Sequence, residues 1–294
     1  MSLFKTGKLL TLDGGFGSSL EDMKVDISES ALWSFDSVID KPEAVHQVHR
    51  NFIEAGADII LTNTYHAPIE NLTSARGFTE ERAIQEIAAA VKIAEEEAEK
   101  SGSKVFIVGS IGPYAVVRRD GSEYDGGYVY ELPTENFAIE TVPTLSEALI
   151  ALNAWKTISA ARGKELWISF NCKNAKSTYG GDLFIDCVKE LTLEDSVTAV
   201  GLNCTMPYHI LPLISSAHPY ANGKPFVTYP NHGETYNLST QSFDHNGPDR
   251  FGEYIDAIPK LATLGVQVFG GCCRVNYSNI QQISNKIKYI TAET

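Results

Sequence analysis

Eight short apolar runs, rich in β-branched and aliphatic residues, recur along this chain of 294 residues. Most are continuously apolar rather than alternating, as expected for parallel strands that are covered on both faces. Eight strands that alternate with helices predict an α/β fold, a single-domain (β/α)8 TIM barrel, because an open doubly wound sheet would rarely repeat the unit eight times. The predicted strands cover residues 9–13, 58–63, 105–110, 136–141, 166–171, 199–203, 225–229 and 267–270.

Helical patterns fill most of the connections between these runs. The predicted helices cover residues 42–55, 79–102, 145–161, 183–191, 250–264 and 279–290. One connection differs, since residues 113–135 are turn-rich and show no helical period, although a parallel crossover normally needs a helix. Either the barrel lacks its third helix, or the sequence as given omits residues near 132–136. We favour the omission. The predicted barrel domain spans residues 1–294.

Composition narrows the classes of partner and compartment. The chain carries 24 Lys and Arg against 37 Asp and Glu, a formal charge of −13, which argues against a nucleic-acid partner because phosphate binding uses clustered cations. No apolar run is long enough to span a bilayer, and the first residues lack the apolar segment of a signal peptide. Five cysteines in so long a chain do not suggest a disulfide scaffold. We expect a cytoplasmic protein whose thiols are free for metal.

Three cysteines follow predicted strands six and eight: Cys204 ends the sixth, and Cys272 and Cys273 follow the eighth. Active sites of such barrels lie at the C-terminal ends of the strands, and alternate strands contribute to one interior layer. Three thiolates there favour a zinc site with an open fourth position. Adjacent strand residues point to opposite faces, so both vicinal cysteines can bind only if Gly270-Gly271 lets the backbone leave β geometry. The alternative, three buried structural thiols, stays open from spacing alone.

Polar residues also end the other predicted strands, as expected for a polar pocket that caps a packed core. Glu140 ends strand four, in the same even-numbered set as the cysteines, and Asp13 ends strand one. Cys172 and Cys187 are better interpreted as small apolar fillers of the core. The complete set of strand-end residues is Asp13, Asn63, Ser110, Glu140, Asn171, Cys172, Asn203, Cys204, Tyr229, Asn231, Cys272 and Cys273.

From Leu12 to about Ile280 the chain resembles the homocysteine S-methyltransferase family. The matching segments are Leu-Asp-Gly-Gly at 12–15, Ala-Asp-Ile-Ile-Leu-Thr-Asn-Thr-Tyr at 57–65, Gly-Ser-Ile-Gly-Pro-Tyr at 109–114, Glu-Thr-Val-Pro at 140–143, Trp-Ile-Ser-Phe at 167–170, Gly-Leu-Asn-Cys-Thr at 201–205, Tyr-Pro-Asn at 229–231 and Gly-Gly-Cys-Cys-Arg at 270–274. The family more often has Ser where Asn171 stands, so that position is left unassigned. The family also usually has a helix before its Glu-Thr-Val-Pro strand, which supports missing residues over a real deletion.

This resemblance implies a zinc ion held by Cys204, Cys272 and Cys273, with no catalytic residue beyond the metal site. It also implies that Asp13 and Glu140 hold the amino-acid end of homocysteine, and we place Asn203 with them as a substrate-binding residue. The implied reaction transfers a methyl group from a sulfonium donor, S-methylmethionine or S-adenosylmethionine, to the homocysteine thiolate and yields methionine. Residues 109–114 resemble the sulfonium-using branch of the family.

Other functions remain as alternatives. A betaine-type donor, or selenocysteine as the methyl acceptor, would change the substrates but keep the same site. A non-catalytic zinc- or thiol-binding barrel would fill the fourth position with protein. A lyase or hydrolase would need His or carboxylate ligands and an activated water. The candidate ligands here are all thiols, which disfavours that class of enzyme. The sequence leaves the preferred donor and the oligomeric state open.

Overall fold

The computed structural model describes residues 2–27, 30–113, 116, 136–237, 242–244 and 250–292. Within them, eight parallel strands form one barrel, which confirms the predicted (β/α)8 fold and its single domain. The barrel strands are β1 (Leu10–Thr11), β2 (Ile59–Leu61), β3 (Phe106–Ile111), β4 (Asn136–Val142), β5 (Glu165–Phe170), β6 (Ala199–Asn203), β7 (Phe226–Tyr229) and β10 (Val266–Phe269). Between β7 and β10, β8 (Thr235–Asn237) and β9 (Ser242–Asp244) form an antiparallel pair.

The barrel closes at β1, which is its shortest strand. The strand order is β1-β10-β7-β6-β5-β4-β3-β2. Leu12 bridges Ile59 in parallel, and the backbone N–H of Asp13 donates to the carbonyl oxygen of Ile59 at 3.0 Å. The N–H of Asp58 donates back to the carbonyl oxygen of Thr11 at 2.8 Å. These bonds satisfy the backbone groups that an open sheet would leave exposed at its edges.

Helices cover the outside of the barrel. They are α1 (Phe16–Asp22), α2 (Asp36–Asp40), α3 (Pro42–Glu54), α4 (Ile69–Arg76), α5 (Glu80–Lys100), α6 (Leu145–Thr157), α7 (Phe184–Thr192), α8 (Pro207–Ala217), α9 (Phe251–Thr263) and α10 (Tyr277–Ala292). The sequence reasoning missed α1, α2, α4 and α8. The first three are short, and α8 contains Pro212 in its interior, a residue that ordinarily argues against a continuing helix. Among the described residues, no helix is both long and apolar enough to cross a membrane.

In the connection from β3 to β4, the sequence pattern predicts that residues are missing near 132–136. Residues 132–135 lie outside the described part of the chain, so that prediction stays a prediction. Asn136 itself begins β4 and pairs with Val108 of β3 on one side and Glu165 of β5 on the other. The two strands on either side of this connection are therefore direct neighbours in the barrel.

The barrel interior is filled by side chains and is covered at its N-terminal end by the start of the chain. Leu3 and Phe4 join the interior cluster that includes Trp167 of β5 and Val268 of β10. The Phe4 and Trp167 rings meet edge to face with centroids 6.2 Å apart. The N–H of Leu3 donates to the carboxylate of Glu165 at 2.6 Å. The polar strand-end residues lie at the other, C-terminal end of the strands.

A buried carboxylate ties α3 to α5 on the outside of the barrel. Glu97 is 2% exposed and accepts hydrogen bonds from Arg50 at 2.9 Å, Lys100 at 2.8 Å and the ring of His46 at 2.9 Å. Burial alone would raise the pKa of Glu97, but these bonds favour its ionised form and lower the pKa to about 2.

We expect the Glu97 cluster to make folding stability depend on acid pH. The pKa of Glu97 is depressed in the folded state, so its contribution is present above the unfolded pKa of about 4.3 and is lost as pH falls towards 2. Thermal unfolding followed by circular dichroism from pH 6 to pH 2 should therefore show a smaller acid loss for Glu97→Gln than for the wild type. Glu99→Gln, an exposed change on the same helix, serves as the control and should follow the wild type. Identical curves for all three proteins would contradict this assignment.

Candidate metal centre

Three cysteine thiols converge at the C-terminal end of the barrel. Cys204 follows the last residue of β6, while Cys272 and Cys273 lie in the turn after β10. The Sγ atoms of Cys204 and Cys273 are 3.7 Å apart, and those of Cys272 and Cys273 are 3.9 Å apart. All three sulfur atoms lie within 4.8 Å of one another, and each side chain is only partly buried. One side of the cluster therefore remains accessible.

These separations match the spacing of thiolates around a tetrahedral metal ion. Zinc–sulfur bonds of about 2.3 Å with tetrahedral angles place neighbouring sulfur atoms about 3.8 Å apart. Within the described residues this is the one group of three or more potential ligands close enough to hold an ion. Hydrogen bonds from the thiols of Cys204 and Cys272 also hold the pKa of Cys273 well below its ordinary value, so the cluster stabilises a thiolate.

The turn that carries Cys272 and Cys273 is bound on both sides by neighbouring strand ends. The N–H of Gly271 donates to the carbonyl oxygen of Asp13 at 3.0 Å, and that of Cys272 donates to Pro230 at 2.8 Å. Gly270 must be glycine, because a Cβ there would lie 2.6 Å from the Cβ of Leu12 and 2.9 Å from the carbonyl oxygen of Asp13. The expected departure from β geometry is observed: β10 ends at Phe269, and both cysteines follow it.

Glu140 lies in a bulge of β4 that reaches the same end of the barrel. The register between β4 and β5 shifts between Ile139 and Val142, and such a bulge re-aims side chains locally. Ser110 donates its hydroxyl to the Glu140 carboxylate. Burial raises the pKa of Glu140 to about 7, although hydrogen bonds from Ser110 and Tyr229 oppose that rise. This carboxyl group therefore titrates near neutral pH and gains most from a cationic partner.

Asp13 offers a second buried carboxylate with an unused oxygen. Its Oδ2 accepts the N–H of Leu61 at 2.9 Å, whereas Oδ1 has no hydrogen-bond partner among the described residues. The side chain is 2% exposed, and burial raises its pKa well above the ordinary value. An unpaired buried acceptor costs about 1–3 kcal/mol, so this oxygen favours a ligand that donates to it.

Three of the further polar atoms in loops after barrel strands that lack a partner within the described residues belong to His66, Asn171 and Asn231. They are Nδ1 of His66, Oδ1 of Asn171 and Oδ1 of Asn231. Asn171 was left unassigned by the sequence, Asn231 was noted only as a strand-end residue, and His66 was not singled out. The signal that could have found His66 is its place just after Thr-Asn-Thr-Tyr at 62–65, in the loop that follows a predicted strand.

The amide of Asn203, in contrast, is largely occupied by protein. Its Oδ1 accepts the N–H of Thr141 at 2.8 Å and the hydroxyl of Ser169 at 2.9 Å. Its Nδ2 donates to Oγ1 of Thr141 at 2.7 Å. Asn203 is fully buried, and one amide N–H remains for any other contact. The predicted substrate contact through Asn203 stays a prediction.

An aromatic group lies beside the thiol cluster. The ring centroids of Trp33 and His66 are 4.9 Å apart, and those of Tyr65 and His66 are 4.8 Å apart. Burial raises the pKa of Tyr65 and the charges of Cys204 and Cys272 add to the rise, which places this phenol near the sulfur atoms. Burial lowers the pKa of His66 to about 4, so its imidazole is neutral at physiological pH.

Backbone strain is concentrated around the same site. Trp33, Thr141, Cys204 and Arg274 all have positive φ values without being glycine, at +47°, +62°, +45° and +67°. Each such residue costs on the order of 1–3 kcal/mol and persists only where its surroundings hold it. The remaining cysteines behave as predicted: Cys172 and Cys187 are buried in the hydrophobic core, and burial raises the pKa of Cys172 to about 12.

Comparison with known proteins connects this chain to a family of enzymes. The sequence profile of the homocysteine S-methyltransferase family matches residues 10–287. The chain belongs to this family. It is a methyltransferase of the (β/α)8 barrel type, as the resemblance implied.

The alignments with individual relatives cover nearly the whole of this methyltransferase. A betaine-homocysteine S-methyltransferase of Drosophila melanogaster is 30% identical over 95% of this chain and 94% of its own length. The homocysteine S-methyltransferase YbgG of Bacillus subtilis is 32% identical over 96% of this chain and 95% of its own length. The metallated form of the homocysteine methyltransferase MmuM of Escherichia coli superposes with a TM-score of 0.79 at 25% identity, over 97% of this chain and 98% of that one.

We expect Cys204→Ser to abolish metal binding, because two thiols cannot hold the ion as three do. Metal content after dialysis, measured by inductively coupled plasma mass spectrometry, should fall from about one ion per wild-type chain to roughly a tenth of that or less. Cys172→Ala is the matched control, since this thiol lies in the core, and it should keep its metal. Full metal content in Cys204→Ser would show that the three thiols do not form the site.

Proposed function

We propose that this protein transfers a methyl group from a sulfonium donor to the thiolate of homocysteine in a zinc-dependent reaction that yields methionine. The convergence of three cysteine thiols beside two buried carboxylates, Asp13 and Glu140, is the observation that carries the proposal. Family membership supports homocysteine as the acceptor.

Cys204, Cys272 and Cys273 would hold the zinc ion, since their spacing and soft sulfur donors suit it. When bound, the ion favours the ionised form of a fourth thiol, which is the nucleophilic form of homocysteine. The accessible side of the cluster leaves room for that thiol. We place the reaction in the cytoplasm, where thiols stay reduced.

The two carboxylates suit the amino-acid end of homocysteine. Glu140 has a pKa of about 7 because it is buried, and a substrate ammonium group would stabilise its charged form. Oδ1 of Asp13 has no partner among the described residues and can accept a second N–H from the same group. These contacts would orient the substrate so that its sulfur points to the cysteines, and orientation of bound reactants lowers the barrier to transfer.

The methyl transfer itself needs no acid or base from the protein. The homocysteine thiol first loses its proton to solvent, and the thiolate then donates an electron pair to the methyl carbon. The bond from that carbon to the sulfonium sulfur breaks, and its electrons stay with the departing sulfur, which leaves as a neutral thioether. Because the leaving group loses a positive charge as it departs, it requires no protonation.

Trp33, Tyr65 and the neutral His66 support a cationic donor. Aromatic faces attract cations, and the attraction strengthens where water is excluded. This group lies beside the sulfur cluster, where a donor must approach. Between sulfonium donors we favour S-methylmethionine, because the sequence shows no signature of an adenosine pocket.

A betaine-type donor is the second candidate, since betaine is also a cation and one relative is a betaine-homocysteine S-methyltransferase. The deciding experiment supplies S-methylmethionine, S-adenosylmethionine and betaine separately, at equal concentration with homocysteine, and measures methionine. Turnover with betaine well above both sulfonium donors would overturn the donor assignment. A parallel reaction with selenocysteine tests the acceptor, because one relative is a selenocysteine methyltransferase. Absence of turnover with every donor would favour a non-catalytic metal-binding barrel.

Glu140→Gln should raise the KM for homocysteine about tenfold, the scale of one lost charge-assisted contact. The variant keeps the shape and the hydrogen bond from Ser110 but cannot carry the charge that pairs with the ammonium group. Steady-state kinetics at saturating donor measure this effect, and zinc content should not change.

The control for this variant is Glu165→Gln, a carboxylate at the N-terminal end of β5 that accepts hydrogen bonds from Ser2 and Leu3. It should lower the melting temperature and leave the KM for homocysteine as in the wild type. Wild-type kinetics in Glu140→Gln would refute the role given to Glu140.

A further inference from the structure

Thr141 and Cys204 hold the same unusual backbone conformation at the ends of two different strands. Their φ angles are +62° and +45°, in the left-handed region. For a β-branched residue such as threonine this conformation is a genuine outlier, because the branched side chain crowds its own backbone. It persists only where neighbouring groups hold it in place. Thr141 directly follows Glu140, and Cys204 directly follows Asn203.

The side chain of Asn203 holds Thr141 through two hydrogen bonds. Its Oδ1 accepts the backbone N–H of Thr141 at 2.8 Å, and its Nδ2 donates to Oγ1 of the same residue at 2.7 Å. Because a backbone N–H can only donate, the orientation of the amide is fixed with oxygen towards that atom. The two bonds fix both the backbone and the side chain of Thr141. We refer to this pair of residues as the Asn203–Thr141 clamp.

A third hydrogen bond fixes the amide itself. Ser169 of β5 donates to Oδ1 of Asn203 at 2.9 Å, and its hydroxyl lies 2.6 Å from that of Tyr229. Both acceptor positions of Oδ1 are thereby filled. The clamp therefore lies in a buried polar network that crosses β4, β5, β6 and β7, and hydrogen-bonded networks of this kind rigidify a single arrangement.

We propose that Asn203 is a positioning residue that locks the substrate-binding end of β4 to the metal-binding end of β6. It holds Thr141 in the left-handed conformation, which directs Glu140 towards the substrate, and it fixes this bulge next to the backbone of Cys204. The inference rests on the proposed functions of Glu140 and Cys204. It gives Asn203 a role other than the substrate contact expected from sequence.

Asn203→Ala tests the clamp because it removes both bonds to Thr141. The bulge should relax, and Glu140 and Cys204 should lose their relative positions together. We expect the KM for homocysteine to rise about tenfold and the zinc affinity to fall about tenfold, the scale of lost buried hydrogen bonds. Zinc affinity is measured on the metal-free protein by competition with a chromogenic chelator, so it does not depend on turnover. Values within twofold of the wild type for both quantities would overturn the inference.

Thr141→Gly provides a rescue that a merely structural defect would not show. Glycine adopts positive φ without the crowding that threonine meets, so the bulge needs less support. In this background, Asn203→Ala should change the homocysteine KM and the zinc affinity only about two- to threefold, measured against Thr141→Gly alone. Effects as large as those in the wild-type background would overturn the proposed role.

Thr141→Val tests the clamp with a smaller change if Asn203→Ala does not fold. It keeps the branched shape and loses Oγ1, and with it the bond from Nδ2 of Asn203. Both quantities should move in the same direction by about threefold, and unchanged values would overturn the inference.

Asn222→Ala is the matched control. Asn222 also has a positive φ, of +50°, and its Nδ2 donates to Oγ1 of Thr192 at 3.0 Å, but it precedes β7 at the opposite end of the barrel. It should lower the melting temperature and leave both quantities at wild-type values. A wild-type protein that binds neither zinc nor homocysteine would overturn the proposed function and this inference with it. Wild-type binding that Asn203→Ala leaves unchanged would overturn the inference alone.

Discussion

Closure of the barrel around Asp13 is the constraint on which the rest of the structure depends. The backbone N–H of Asp13 bonds to Ile59, its carbonyl oxygen accepts the N–H of Gly271, and its Oδ2 accepts the N–H of Leu61. One residue therefore joins the ends of β1, β2 and β10. The same bonds bring the turn with Cys272 and Cys273 over the barrel mouth, where Cys204 arrives from β6. Without closure, β1 with Asp13 and β2 with Leu61 would lie at opposite edges of an open sheet.

The two ends of the barrel differ in how their polar groups are hydrogen-bonded within the protein. At the N-terminal end, Leu3 and Phe4 pack on Trp167, and Glu165 accepts two hydrogen bonds from the start of the chain. At the C-terminal end, carboxylate and amide oxygens of Asp13, Asn171 and Asn231 have no partner within the described residues. The left-handed residues Thr141 and Cys204 also lie there. Strain and unpaired polar atoms destabilise a fold, so their presence around the cysteines is consistent with a site that a ligand completes.

The fold followed from the sequence because its signal is strong and local. Continuous apolar runs give parallel strands, and the Cys204 and Cys272-Cys273 positions at strand ends indicated the shared site. The boundaries of β10 differ by only one residue at each end from its prediction. The helix α8 was missed because Pro207 and Pro212 hide its period, and a helix packed on a barrel tolerates what an isolated helix does not. His66 was missed because no local pattern shows that its ring approaches Trp33, which lies 33 positions earlier in the chain.

The sequence by itself determined the barrel, the three thiols and the two carboxylates, since each of these depends on residue type and on position at the end of an apolar run. Only the tertiary structure decided how those groups are held. The sulfur separations of 3.7 and 3.9 Å depend on where β6 and β10 end in space. The amide of Asn203 bonds to Thr141, a residue 62 positions away in the chain. No local pattern encodes such a contact, because it arises only when β5 pairs with β4 and β6 and brings their distant ends to the same height.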